Sequence, residues 1–316
     1  MVVCDMRRAL VLTGGGSKGS WQVGACEHLI AERGHWFDVI SGVSAGAING
    51  ATLAHGHDPG GLRAHLVRLR NWWFGVRGND NIYRRRRHAA LGMVLGKWRG
   101  LYDVTPLRDE VLAREIDPPQ VAASPIRLRI GYLDLRSRRF RTAGNDHPRL
   151  RDALLASSSL PVLFPPTALR ESRELGVDGG TRHAELLADT LQALAQFPAD
   201  GGPLEVWVVR PRAPHKFAPR AMVRRWVKKA FAALSERTVD VSPDVMSGPC
   251  PKGKSRVSHA LHAHPSVRLR VLQPDHELTG SFLDFDPGKI RAWYEDGLRT
   301  AQSGQTVNVE YSCGSV

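Results

Sequence analysis

Val39-Ile40-Ser41-Gly42-Val43-Ser44-Ala45-Gly46-Ala47-Ile48-Asn49-Gly50 reads as a buried strand running straight into a helix, with a serine at the junction. Gly42, Ser44 and Gly46 fit Gly-x-Ser-x-Gly, a sharp turn that leaves one hydroxyl exposed at a helix N-terminus. Small neighbours are required there. Side chains at 42 and 46 would collide with the adjoining strand and helix, and the helix N-terminus favours negative charge near Ser44. Alone the pattern has little specificity, so its meaning depends on what flanks it.

Upstream, 8–13 is a short strand pattern, followed by Gly14-Gly15-Gly16-Ser17-Lys18-Gly19 and an apolar helical run over 21–30. Strand, glycine turn and helix leave backbone amides free to hold an anion. Gly14, Gly16 and Gly19 also satisfy the dinucleotide pattern Gly-x-Gly-x-x-Gly, with Asp38 near the spacing of a ribose contact. That order fails, because Asp38 precedes the second strand instead of ending it. A Walker loop is excluded too, since Lys18 comes before the last glycine. What remains is an oxyanion hole whose amides face Ser44 from an adjacent strand end.

The glycine loop followed closely by Gly42-Val43-Ser44-Ala45-Gly46 resembles the patatin-like phospholipase family, especially its bacterial members. Two further motifs extend the resemblance: Asp178-Gly179-Gly180, and the block from Ala156-Ser157 through Pro161 to Phe164-Pro165-Pro166. The similarity covers roughly 8–190 and continues weakly in Leu283-Asp284-Phe285-Asp286-Pro287. It implies an α/β three-layer sandwich with a central, mostly parallel sheet, helices on both faces and a basic helical cap. It implies Ser44 as nucleophile and Asp178 as its partner, with Gly14, Gly15, Gly16, Lys18 and Gly19 forming the oxyanion loop. Gly42, Gly46, Gly179 and Gly180 would support the turns. The implied reaction is hydrolysis of lipid acyl esters, as in a phospholipase A, without metal or cofactor. With an alcohol in place of water the same site would be an acyltransferase. Family members usually carry Asn and Pro shortly after the Asp motif, where this chain has Ala184 and Leu186. That departure keeps open a catalytically impaired, basic lipid-binding protein. A Ser-His-Asp arrangement is the other rival, drawing on His183, His215, His259, His262, His264 or His276.

The 316 residues, 42% hydrophobic and 24% charged, fit one domain with a sizeable core. The expected core covers about 6–60, 101–210 and 265–302, with cap insertions at about 61–100 and 211–260. Within it, 126–133 and 139–142 read as a hairpin, 105–115 and 186–197 as helices, 204–209 and 267–272 as strands, and 287–302 as a helix capped by Asp286. Cys4, Cys26, Cys250 and Cys313 have no ligand or disulfide spacing. No apolar run has the length of a membrane span or the form of a signal core, so a cytoplasmic protein is expected.

Charge is concentrated. Segments 63–99 and 207–256 each carry +9, so the remainder of a chain with net charge +13 stands at −5. Such a surface calls for an anionic partner. In the first segment Trp72, Trp73, Arg84 and Arg85 are candidate membrane contacts. In the second, a helical pattern over 220–235 sets Trp226 among apolar positions and Arg224, Arg225, Lys228 and Lys229 opposite. The expected partner is therefore an anionic membrane surface presenting phospholipid or another lipid ester, with peripheral association, and not nucleic acid. An activating partner would restrain such an enzyme, but no residue identifies one.

Overall fold

Among the described residues, eleven strands occur with helices between them: β1 Arg8–Leu12, β2 Val39–Val43, β3 Arg84–Arg85, β4 Tyr102–Asp103, β5 Arg127–Asp134, β6 Arg139–Ala143, β7 Thr167–Leu169, β8 Glu174–Asp178, β9 Leu204–Val209, β10 Ser266–Leu272 and β11 Thr306–Ser312. The structure is a computed structural model and describes residues 6–96, 99–170, 172–180, 183–197, 204–213, 266–304 and 306–312. The main sheet runs β11-β10-β9-β1-β2-β5-β8-β7, with β6 also paired to β5. Pairings from β10 through β9, β1 and β2 to β5 are parallel. Antiparallel pairs finish both edges: β10 with β11, and β5 with β6 and β8.

The strand pattern explains the layers. Leu10 and Leu12 of β1 point into one core, and Ala9 and Val11 into the other. Both faces of a central parallel strand are covered, as its continuous apolar run requires. Apart from shorter α-helical, 3-10 and π segments, the helices among the described residues are α1 Gly19–Cys26, α2 Ala45–Leu53, α3 Pro59–Gly75, α4 Ala89–Val94, α5 Leu150–Ser157, α6 His183–Leu194 and α7 Pro287–Gln302. Side chains of α1, α2, α3 and α7 join the first core, and those of α6 join the second. The α/β sandwich with helices on both faces is the fold read from the sequence.

Several expected elements are present, among them the hairpin, β9 and the closing helix. Asp286 caps α7 by accepting the Lys289 amide at 2.9 Å. The expected cap boundary at 61 needs correction. It falls inside α3, a helix capped by Asp58, started by Pro59 and anchored in the core by Leu62, Leu66, Leu69 and Trp73. This spacing of three or four residues makes one buried stripe, which holds α3 to the core despite its arginines. The cationic helix expected over 220–235, with Arg224, Arg225, Trp226, Lys228 and Lys229, lies outside the described residues. Among the described residues, no helix is long and apolar enough to cross a membrane.

The topology also fixes where a site can form. From β1 the chain proceeds to β2 and β5 on one side, whereas β9 and β10 return to the other. The switch point therefore lies between β1 and β9; the loop leaving the carboxyl end of β1 opens there, the customary crevice of parallel sheets, with the β2 loop beside it. The glycine loop and Ser44 are these two loops.

Candidate active site

Ser44 follows β2 and precedes α2 with φ 57° and ψ −132°, a conformation rarely adopted by a residue with a side chain. Close packing imposes it. A methyl at Gly42 would strike the Gly46 carbonyl, and one at Gly46 would strike the carbonyls of Leu12 and Thr13. Ser157, at the end of α5, braces the turn by accepting the Ser44 amide at 2.9 Å and donating to the Gly131 carbonyl at 2.6 Å. The Ser44 hydroxyl makes no cap bond to its own helix.

Asp178 ends β8, two strands away from β2 across β5. Its amide donates to the Ser159 carbonyl at 2.9 Å, and its Oδ1 accepts the Gly180 amide at 2.7 Å. A Cβ at Gly179 would lie 3.1 Å from the Val43 side chain, so the turn packs directly behind Ser44. The carboxyl is 6% exposed, and burial raises its pKa to about 6, with the Ser44 hydroxyl and the Gly180 amide acting in the opposite direction. That hydroxyl acts on the carboxylate without completing a hydrogen bond of standard geometry. Oδ2 is buried and has no partner among the described residues.

The glycine loop divides into two functions. Among the described residues, the amides of Gly14, Gly15 and Gly16 donate to nothing, and a Cβ at Gly14 would lie 3.2 Å from Ser44 Cβ. The loop's second half is structural, which corrects the expectation for Lys18 and Gly19. The Lys18 amide donates to the Gly15 carbonyl and the Gly19 amide to those of Gly16 and Ser17. Lys18 Nζ donates to the Leu278 carbonyl at 2.7 Å, and burial lowers its pKa. Gly19 is small because the Trp73 ring and Ala45 pack over it.

That carbonyl belongs to a strap, residues 278–285, laid across the loop from late in the chain. Its Phe282 carbonyl accepts the Ser17 amide at 2.8 Å, and its Ser281 and Leu283 carbonyls accept hydroxyls of Ser17 and Tyr83 at 3.2 and 2.6 Å. Gly16, at φ +57°, leaves room for the Phe282 carbonyl, which any Cβ there would meet. Between strap and elbow lies a cleft of about 480 Å³ including its open mouth. Ser44, Gly16 and Ser158 line it beside Ile48, Trp72, Trp73, Ile82, Leu160, Phe164, Leu283 and Phe285. The Ser158 hydroxyl is buried without a partner among the described residues.

Trp72 and Trp73 are thus corrected from surface contacts to cleft walls. Trp73 is 2% exposed, because its indole donates to Asn49 Oδ1 at 2.9 Å. Asn49 in turn donates to the Gly19 carbonyl and to Gln22, which holds the Thr13 carbonyl at 2.6 Å. This satisfied chain locks α1, α2 and α3 to the glycine loop. Arg84 and Arg85 remain exposed on β3. No described histidine lines the cleft, and His276 is instead exposed beside Asp275. Leu186, standing where the family has Pro, is buried in the core behind the sheet; Ala184 lies in α6. Reading the sequence placed Ser157 and Ser158 in a family block and 283–287 in a weak similarity, but gave neither a role in the site. The run of three serines ending α5 before Pro161 was the available signal for the two serines.

The family model described as "Patatin: Patatin-like phospholipase" matches residues 10–191. No curated protein matches the chain. Among solved structures, VipD from Legionella pneumophila is similar at 15% identity with a TM-score of 0.44, covering 94% of this chain and 66% of VipD. The type III effector ExoU is similar at 13% identity and TM-score 0.34, over 96% of this chain and 55% of ExoU. ExoU from Pseudomonas aeruginosa, in its heterodimeric complex with SpcU, gives 14%, 0.30, 96% and 53%.

Proposed function

The chain belongs to the patatin-like phospholipase family, and on that premise we propose that it is a serine hydrolase cleaving carboxylic esters of lipids through Ser44 and Asp178. One observation carries this reading: a strained Ser44 lining an apolar cleft, backed by a buried carboxyl one of whose oxygens has no partner among the described residues. A carboxylate near its ordinary pKa is a poor base toward serine. Burial that brings Asp178 to about 6 makes it a better one while leaving it ionised at neutral pH.

In the first half-reaction Ser44 Oγ bonds to the ester carbonyl carbon as its proton passes to Asp178. The carbonyl oxygen becomes an oxyanion and takes hydrogen bonds from unpaired amides of Gly14, Gly15 and Gly16, assisted by the N-terminus of α2. The carbon–oxygen bond to the alcohol then breaks, and that oxygen takes the proton from Asp178. Water repeats the sequence on the acyl-enzyme, releasing the fatty acid and restoring Ser44. The apolar walls from Ile48 to Phe285 suit an acyl chain, whose burial favours binding by about 0.8 kcal/mol per methylene. Lipid at an anionic membrane surface is the substrate form that the basic segments fit.

The test is release of fatty acid and lysolipid from mixed phosphatidylcholine and phosphatidylglycerol liposomes, with turnover of a soluble short-chain ester measured alongside. Ser44→Ala and Asp178→Asn each lower both rates by a factor of about 10³ or more. Retention of turnover in either variant, or loss of it in a described or undescribed histidine variant to the same degree, overturns the assignment.

A further inference from the structure

The chain leaves the cleft wall at Ile82 and returns to it at Leu107, and the Leu107 amide donates to the Ile82 carbonyl at 3.1 Å. Everything between is an excursion pinched at its base by this bond and by the β3–β4 pair. Near its far end is α4. Leu91, Val94 and Leu95 are 58%, 83% and 72% exposed, and they make up three of the five large hydrophobic side chains left exposed among the described residues. Single exposed apolar residues are ordinary, and Val67 on α3 is one. Three on one short helix and its cap form a patch that calls for an occupant.

The residues leading into α4 identify that occupant by charge. Arg84-Arg85-Arg86-Arg87 precede it directly. Arg84 is 3.6 Å from Glu110 and Arg86 3.4 Å from Asp103, whereas Arg85 and Arg87 are exposed with no carboxylate partner among the described residues. Unpaired guanidinium groups beside an apolar tip match an anionic bilayer, with aliphatic side chains in the acyl boundary and arginines at the phosphates. A protein surface offering acidic and apolar groups together is the competing occupant, but the continuity of this excursion with the cleft wall favours lipid. A tip seated in the bilayer would bring the cleft against its substrate.

We propose that Leu91, Val94 and Leu95, with Arg85 and Arg87, form a membrane-docking tip that holds the cleft at an anionic lipid surface. The proposal rests on the reading of the cleft as a lipid ester site. It replaces Trp72 and Trp73, which are used inside the cleft, as the source of apolar membrane contact. Phe282, 38% exposed on the strap, is a further exposed apolar group.

The deciding experiment is flotation with vesicles of phosphatidylcholine alone or mixed equally with phosphatidylglycerol, using the full chain carrying Ser44→Ala so that lipid is not consumed. Leu91→Ser/Val94→Ser/Leu95→Ser lowers affinity for mixed vesicles more than about tenfold. Arg85→Gln/Arg87→Gln lowers it by roughly fivefold per arginine, and raising the salt concentration removes the difference. With Ser44 intact, both sets keep native turnover of a soluble short-chain ester, which also reports folding. As a measurement independent of affinity, the indole introduced by Val94→Trp shifts its emission to the blue on mixed vesicles and is quenched by brominated lipid. Native affinity in the triple variant, absence of vesicle binding by the parent, or an unquenched indole overturns the proposal. So does a dimer in solution that the triple variant dissolves while vesicle binding persists. Failure to turn over any ester, with vesicle binding lost as predicted, would instead sink the hydrolase reading and leave the docking surface standing.

Discussion

The two walls of the cleft are built in opposite ways. One consists of the glycine loop and the elbow, held by contacts of backbone on backbone at the ends of adjacent parallel strands, where a single methyl at Gly42 or Gly46 has nowhere to go. The other is the strap, fastened to the first wall by its own carbonyls, among them the Leu278 carbonyl, 260 residues from the lysine that holds it. The first wall carries the proposed chemistry and the second bounds what enters. A rigid local turn and a long-range tether should respond differently to the same insult.

Adding one methyl to each side is the largest test of that difference. Gly46→Ala drives a Cβ into carbonyls at the end of β1, which cannot move without disturbing the central sheet. It is expected to cost about 3 kcal/mol or more and to abolish ester turnover. Gly16→Ala meets Phe282, at its carbonyl and its Cβ, on a strap held by hydrogen bonds instead of by the central sheet, together with the cost of φ +57°. Its expected loss is about 1 to 2 kcal/mol. Urea midpoints of the two variants make the comparison, and equal losses would mean that the strap is as rigid as the elbow.

Asp178 tests the chemical wall through pH. Burial raises its pKa from 3.8 to about 6, so the folded protein holds this proton more tightly than the unfolded chain does. The stability it contributes is complete below about pH 3.8, declines as pH rises, and is lost above about pH 6. At neutral pH the ionised carboxylate therefore costs up to about 3 kcal/mol. Asp178→Asn should be inactive yet more stable than the native chain at pH 7, with the two urea midpoints converging near pH 4. Over the same range native kcat/KM should fall as pH drops through about 6, where the base takes its proton. An advantage of the variant over the native chain that is no larger at pH 7 than at pH 4 would remove the raised pKa from the argument.

Adjacent serines sharpen the contrast further. Ser157 is spent on the Ser44 amide and the Gly131 carbonyl, so Ser157→Ala should cost about 1 to 3 kcal/mol and slow turnover by loosening the elbow. The Ser158 hydroxyl has no partner among the described residues to lose. Ser158→Ala should leave stability unchanged within about 0.5 kcal/mol, and any effect should fall on turnover of substrate in the cleft. Melting curves and kcat/KM on one soluble ester separate the two cases.

What the sequence made legible follows the same division. The elbow and glycine loop were readable because sharp turns at strand ends admit few residue types, and Gly42, Ser44 and Gly46 carry that restriction in their identities. Asp178-Gly179-Gly180 was legible only through the family resemblance, because alone it reads as an ordinary turn. The strap left no comparable trace, since carbonyls of Leu278, Ser281, Phe282 and Leu283 are supplied by any residue. Lys18 was assigned to the wrong wall because its spacing fixes where its backbone goes but not what its ammonium reaches. Trp72-Trp73-Phe74 looked like a surface because arginines surround it in sequence. The hydrogen bond from Trp73 to Asn49 that internalises it depends on how α3 crosses α2.

The smallest effect tests the strap alone. Tyr83 donates to the Leu283 carbonyl at 2.6 Å, and burial keeps its pKa near 12, so it remains a donor throughout the working range. Its ring also packs edge-on against Phe285 at 6.1 Å, a contact that Tyr83→Phe preserves. Removing the hydroxyl should cost about 1 kcal/mol, the usual net worth of one such bond. Because the bond that is lost holds the strap and not Ser44's own turn, kcat on a small soluble ester should not change. KM for a long-chain ester should rise by about two- to fivefold as the wall loosens, a difference of up to roughly 1 kcal/mol in uniform binding. Amide exchange should quicken over 281–285 and remain slow over 40–48. A fall in kcat on the small ester, with exchange quickened in the elbow as well, would show that the two walls move as one and that access and chemistry are not separately built.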